Sequence, residues 1–254
     1  MRIDQFVRSS AGTFGSDTAI ISAGRAYSYR ELALAAERLA AALVRRGIGP
    51  GTRIGILMES TFAAAVVIFA AMRAGAVVCV MDENDDAEEL SHALAGHGAT
   101  ALAIDTRYAA LAAAALREAN GIATVVVNGR DAGIAGCIAL QDVIARIGPV
   151  GEVTAAGGAD DAAIVFSPAE VSGCAVALSH AELAACAEGA EPQPSETLRS
   201  IFTFGGVCHL IKAIRTGIPV RLGAGFERPR SPLLEALKWK ALAPQVPAGC
   251  GRAT

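Results

Sequence analysis

The feature that most constrains this chain is a rhythm. Short runs of uninterrupted Val, Ile, Leu and Ala alternate with segments whose apolar residues recur at helical spacing. Runs such as Arg53-Ile54-Gly55-Ile56-Leu57 and Ala76-Val77-Val78-Cys79-Val80 show no polar alternation, so each must be covered on both faces. Between them, Tyr29 to Arg46 sets Leu32, Ala36, Leu39 and Leu43 on one helical face and Arg30, Glu37, Arg38, Arg45 and Arg46 on others, and Gly47 ends the segment. Doubly covered strands that alternate with helices specify an α/β fold with a doubly wound, mostly parallel sheet flanked by helices.

The pattern predicts a hairpin from strands 18–22 and 26–28 around Ala23-Gly24. Further strands are expected over 53–57, 76–81, 100–104, 123–127, 162–167, 175–178, 199–203 and 219–222. Helices are expected over 61–73, 87–98, 107–119, 140–147, 181–189, 206–216 and 233–240. The Gly-, Pro- and Thr-containing stretch 148–158 lacks periodicity. It divides a first α/β subdomain, 1–150, from a partial second one, 151–247, with 248–254 as a tail.

Composition removes several function classes. With 53% hydrophobic and 19% charged residues the 254-residue chain is no disordered segment. A net charge of −3 supplies no basic field for nucleic acid. The longest uncharged apolar run, Ser60 to Met72, stops at Arg73, short of the roughly 20 residues a bilayer span requires. The start, Met1-Arg2-Ile3-Asp4, sets an acid where a signal peptide would be apolar, so a cytoplasmic product without a membrane span is expected.

Six cysteines, Cys79, Cys137, Cys174, Cys186, Cys208 and Cys250, form no C-x-x-C pair. They predict neither a disulfide framework nor a zinc site, and they are read as small core residues. The run Asp82-Glu83-Asn84-Asp85-Asp86 lacks the glycine and terminal glutamate of a calcium loop and is read as a solvated turn before a helix. Ser179-His180 is read as a helix cap and its neighbour. Cys208 and His209 are adjacent on one helix and do not face each other, so they make no nucleophilic pair. No catalytic residue and no metal ligand is assigned.

Tyr27-Ser28-Tyr29-Arg30-Glu31-Leu32, then Arg46-Gly47-Ile48-Gly49-Pro50-Gly51-Thr52-Arg53-Ile54, then Met72-Arg73-Ala74-Gly75-Ala76 occur in order. This succession resembles the opening of the adenylate-forming superfamily, the AMP-dependent synthetases and ligases that include acyl-CoA synthetases and peptide-synthetase adenylation domains. The resemblance runs from Ile3 to Pro247 and implies the first half of that family's N-terminal domain. By that resemblance the chain stops before the later ribose-binding and catalytic-lysine segments.

The family's ATP-phosphate loop, Y-T-S-G-T-T-G-x-P-K-G-V followed shortly by S-H, has its flanks here in Ile164-Val165-Phe166-Ser167 and Val176-Ala177-Leu178-Ser179-His180. Between them stands Pro168-Ala169-Glu170-Val171-Ser172-Gly173-Cys174-Ala175. A phosphate cradle uses glycine backbone N–H groups and a balancing lysine. Ser167, Glu170, Ser172, Gly173 and Cys174 are the degenerate remainder, with Cys174 or Ala175 at the lysine position, and tight ATP binding is not expected. ATP with magnesium, and CoA, are cofactors by resemblance only, and none is expected to bind. The family's acyl-pocket segment P-L-F-H-x-x-G is matched by Ile201 through Gly206, which implies a ligand pocket at Phe202, Thr203, Phe204, Gly205 and Gly206 with threonine replacing histidine.

Two functions follow from the resemblance. One is a truncated synthetase-like protein, unable to adenylate, that binds a partner protein or an acyl or aryl ligand. The other is a repurposed or split acyl-activating or acyl-transfer enzyme completed by another chain. A homodimer, or a heteromer with a biosynthetic enzyme or carrier protein, is expected to use residues 201–242.

Overall fold

A computed structural model describes residues 2–119, 121–130, 132–146, 153, 157–166, 176–188, 197–198 and 200–223. The chain runs through α1 (Ile3–Phe14), the hairpin β1 (Thr18–Ser22) and β2 (Arg25–Ser28), α2 (Tyr29–Arg45), β3 (Arg53–Leu57), α3 (Phe62–Ala74), β4 (Val77–Val80) and α4 (Ala87–Gly96). It continues through β5 (Ala101–Asp105), a 3-10 turn at Thr106–Tyr108, α5 (Ala109–Glu118), β6 (Thr124–Asn128), β7 (Ile138–Ala139) and α6 (Leu140–Ala145). Last come β8 (Ala162–Phe166), β9 (Val176–Ser179), α7 (His180–Cys186), β10 (Thr197–Leu198), α8 (Phe204–Thr216) and β11 (Val220–Leu222).

The main sheet has the order β7-β6-β5-β3-β4-β8-β9. Every pairing in it is parallel except β8 with β9. A second sheet, β10-β11-β1-β2, pairs β11 parallel to both β1 and β10, with β2 antiparallel on the outside. The α/β, mostly parallel, helix-flanked class read from the sequence is the one observed. Residues on either side of 150 are interleaved: β8 adds to β4, and β11 adds to β1.

Helix α3 lies at the centre, with all thirteen of its residues buried. A helix apolar on every side can only be covered on every side. Its one charge, Arg73, is bidentate to Glu37 of α2 at 2.9 and 3.1 Å and lies 3.6 Å from Asp4 of α1. Arg2 pairs with the same aspartate at 2.9 Å, and Arg73 also donates to the Val153 carbonyl. The residue that breaks the apolar run in the sequence is thus a buried tie between three helices.

Several expectations need correction. No helix is expected over Ile3–Phe14, yet Ile3, Asp4, Phe6, Val7 and Ser10 form the buried stripe of α1. The two-residue strand β7 was too short to show a period. The strand expected over 199–203 is not one: pairing falls to Thr197–Leu198, and Ile201 to Thr203 turn into α8. There the Ile201 N–H donates to Ser60 Oγ and the Phe202 N–H to Ser200 Oγ. A short apolar run is buried equally well by a strand or by a turn pressed into the core, so periodicity does not separate them. The helix expected over 233–240, the tail 248–254 and most of 148–158 lie outside the described residues.

The cysteine reading is also corrected. Cys186, the last residue of α7, and Cys208 of α8 are joined in a disulfide, with Cα atoms 5.8 Å apart. Spacing along the chain does not reveal which helix ends meet, and α7 and α8 pack together. Cys79 is buried as expected, and burial pushes its thiol up to about 11. Cys137 is free and partly exposed, and Cys174 and Cys250 lie outside the described residues.

Candidate functional site

Strand β8 runs parallel to β4 and β9 returns antiparallel to it, with Phe166 opposite Val176. The end of β8 at Phe166 and the start of β9 at Val176 therefore lie at the carboxyl edge of the parallel strands, where open α/β sheets take their ligands. Ser167, Glu170, Ser172, Gly173 and Cys174 belong to the connection between them and lie outside the described residues. Both of its flanks are fixed by the main sheet.

Beyond β9, Ser179 is the N-cap of α7, in a reciprocal capping box with Glu182. His180, 2% exposed, accepts a hydrogen bond at Nδ1 from the Ile3 N–H at 3.3 Å and so pins α1 to α7. Burial first, and then the Arg2 guanidinium, lower its pKa to about 4. It is held as a neutral acceptor, in line with its reading as a cap neighbour. The sign of the pH dependence follows. The unfolded histidine takes its proton near 6.5, so this stability is complete above that value and is lost as pH falls from about 6.5 toward 4. We expect His180 to contribute a loss of about 2 kcal/mol between about pH 7 and pH 5. Denaturant titrations at both pH values check this, and His180→Gln should flatten the slope. An unchanged slope in that variant would contradict the assignment.

Along the same carboxyl edge the strand ends carry a polar belt that sequence reasoning passed over. The Asp105 carboxylate, ending β5, accepts from the Glu59 N–H at 2.6 Å and from Asn128 Nδ2 at 2.7 Å. Burial nevertheless raises its pKa. Arg107 pairs with Glu59 and lies 5.0 Å over the Tyr108 ring, and the Tyr108 hydroxyl donates to Glu83 at 2.7 Å. The belt joins the loops after β3, β4, β5 and β6. Its legible signal was a polar residue closing each of two apolar strands, Asp105 and Asn128, which stand in register. The acidic run reads largely as expected, because Asp86 caps α4 with Glu89 and Asp82 accepts from the Asn84 N–H. Among the described residues no three His, Cys, Asp or Glu side chains gather as a metal site.

The expected ligand segment is a helix start. Phe202 is 1% exposed, and Phe204 is buried in the same core cluster. Thr203 Oγ1 accepts from the Gly206 N–H at 3.0 Å and donates to the Ser200 carbonyl at 3.4 Å, so the hydroxyl in the histidine position is occupied as an N-cap. Gly205 is exposed. At Gly206 an added Cβ would stand 1.8 Å from the Ser200 carbonyl oxygen. The structure brings these five residues together at one turn. A cleft lined by described residues lies elsewhere, beside the β1–β2 hairpin.

Three comparisons bear on this arrangement. A model of the AMP-binding enzyme family matches residues 7–167. Phosphinothricin tripeptide synthetase PhsC of Streptomyces viridochromogenes is 40% identical over 93 residues, which are 37% of this chain and 9% of that protein. A structure assigned as a long-chain-fatty-acid CoA ligase of Rhodopseudomonas palustris CGA009 superposes with a TM-score of 0.79 at 20% identity, covering 89% of this chain and 58% of that one. A benzoate CoA ligase of Burkholderia xenovorans LB400 gives 0.74 at 22% identity, covering 94% and 48%. The chain thus spans about half the length of these solved structures and a small share of the peptide synthetase. The structural matches give the fold, and with the family match over residues 7–167 the chain belongs to the AMP-binding enzyme family.

Proposed function

We propose that this chain is an adenylate-forming-type binding module that holds an acyl or aryl acid, or a partner protein, and does not itself activate an acid with ATP. The observation that carries this reading is the composition of the 167–175 connection between β8 and β9. It has one glycine, no lysine and one acid, Glu170. Convergent backbone donors need glycine, and each charge-assisted contact to phosphate contributes about 1.5–3 kcal/mol, which a carboxylate facing the triphosphate would oppose. The donor set present does not fit ATP with its magnesium ion, and no chemical step is derived through them. Two relatives whose names specify a benzoate and a long-chain fatty acid support the acid class.

The described part of the expected interface, residues 201–223, already buries its large apolar side chains in the chain's own core, with Ile218 half-buried. We therefore place a partner on other surfaces. The test is pyrophosphate exchange into ATP by the purified chain, with magnesium and either benzoate or long-chain fatty acids. No acid-dependent exchange is expected. Robust exchange with any of these acids overturns the reading.

A further inference from the structure

A cleft of about 380 Å³ opens between the β1–β2 hairpin, one face of α2, the start of α3 and the end of β6. Its size falls within the range of about 300–1,000 Å³ typical of small-molecule pockets. Asn128, on its far wall, ends β6, which stands four strands from β8 in the main sheet. At the usual strand spacing that is about 19 Å from the end of β8 at Phe166, so the cleft is separate from that strand end.

Its two sides differ in chemistry. One is apolar, made by Leu34 and Ala35 of α2, Ala63 of α3 and Ile144 of α6. Leu34 is 40% exposed, while nearly every other large apolar side chain among the described residues is covered. The hairpin side is rigid: Tyr27 stacks on Phe62 at 3.7 Å and 5°, and the Arg25 guanidinium lies 4.5 Å over the Tyr27 ring. The tyrosine is sandwiched and presents its edge.

The other side is cationic. Arg38 enters it with one nitrogen donating to the Ile144 carbonyl at 2.6 Å, and Arg25 adds a second guanidinium. The start of α3 also faces the cleft, with its Phe62 N–H taken by Ser22 Oγ at 3.2 Å and no side-chain capping bond from Thr61. Thr61 lines the cleft, but its Oγ1 is closed off and offers the cleft no polar contact. The one acid on the wall, Glu31, is taken up by the Ser28 N–H and by Arg25 at 3.0 Å. With Arg25 and Glu31 paired to each other, the Arg38 guanidinium and the start of α3 leave the cleft complementary to an anion.

We propose that this hairpin cleft is a binding site for a small carboxylate with an apolar body. The body lies against Leu34, Ala35 and Ile144, and the carboxylate faces Arg38 and the start of α3. The site uses none of residues 167–175 or 202–206, so it stands independently of the missing ATP chemistry.

The test is calorimetric titration of the full chain with octanoate, with octan-1-ol as a probe of the same body lacking the charge. Saturable one-to-one octanoate binding is expected, with octanol weaker by about tenfold or more. Leu34→Glu puts an acid on the apolar wall at an exposed position, and Arg38→Gln removes the charge. Each should weaken octanoate by about tenfold or more while leaving the far-UV spectrum intact. Leu34→Glu keeps the test decisive if loss of the Ile144 bond unsettles the arginine variant. No binding at millimolar octanoate, octanol binding as tight as octanoate, or unchanged affinity in folded Leu34→Glu would each overturn the proposal.

Discussion

Replacing Gly206 with alanine is expected to cost about 4 kcal/mol of stability, placing it among the rare severe point substitutions. The reason is steric. Gly206 is the third residue of α8, its N–H is committed to Thr203 Oγ1, and an added Cβ would stand 1.8 Å from the Ser200 carbonyl oxygen and 2.9 Å from its carbon. Backbone cannot swing aside as a flexible side chain does, and Ser200 is held by the bonds that Phe202 and Thr203 make to it. The turn must open, losing the cap and shifting the buried Phe202 and Phe204. Gly12, inside α1, is the matched control: a Cβ there meets nothing within 4 Å. Gly12→Ala should therefore stabilise by about 0.5–1 kcal/mol through helix propensity alone. Urea titration of both variants measures the contrast. Gly206→Ala within about 1 kcal/mol of the parent would show that the turn is not built as described.

The second large effect is at Arg73. Arg73→Met keeps the length and removes the charge, leaving Glu37 without its bidentate partner and Asp4 with Arg2 alone. The Asp4 side chain is 1% exposed, so water does not replace the lost cation there. Glu37, at 24%, is partly hydrated and softens the loss. Breaking one side of a buried ion pair costs about 3–5 kcal/mol, and the lower part of that range, about 3 kcal/mol, is expected here. Arg73→Lys should recover less than half, because an ammonium cannot reproduce the two parallel bonds to Glu37 and the further bond to Val153. Full recovery by lysine would show that charge alone, and not the fork, is what the three helices require.

These two positions show what was legible. Gly206 was read as the last residue of a ligand-pocket motif, yet its local requirement is a backbone contact with Ser200, which no periodicity encodes. Arg73 stands in the sequence as the end of an apolar run and as one residue of the Met72–Ala76 motif, not as a tie between helices, because its partners lie 36 and 69 positions earlier in the chain. The inner strands of the main sheet, β3, β4, β5, β6 and β8, are legible because burial on both faces leaves them largely apolar. Helix α1 was passed over because its stripe is short and includes Ser10, a polar residue buried with the apolar ones. The polar residues Asp105 and Asn128 closing two apolar strands are legible, but their pairing into one belt is not, because strand register, not sequence distance, brings the two together.

The parallel pairing of β1 with β11 sets a clock on biosynthesis. Ile20 lies opposite Val220. The first hairpin leaves the ribosome early, but the strand completing its inner edge follows about 200 residues later. At the usual elongation rates of about 5–20 residues per second, β1 waits roughly 10–40 s with one edge bare. Over that interval the nascent chain shows an unpaired apolar strand to whatever surrounds it. A factor that shields nascent strands, or slower translation ahead of Val220, would therefore change the yield of folded protein without altering any contact in the finished molecule.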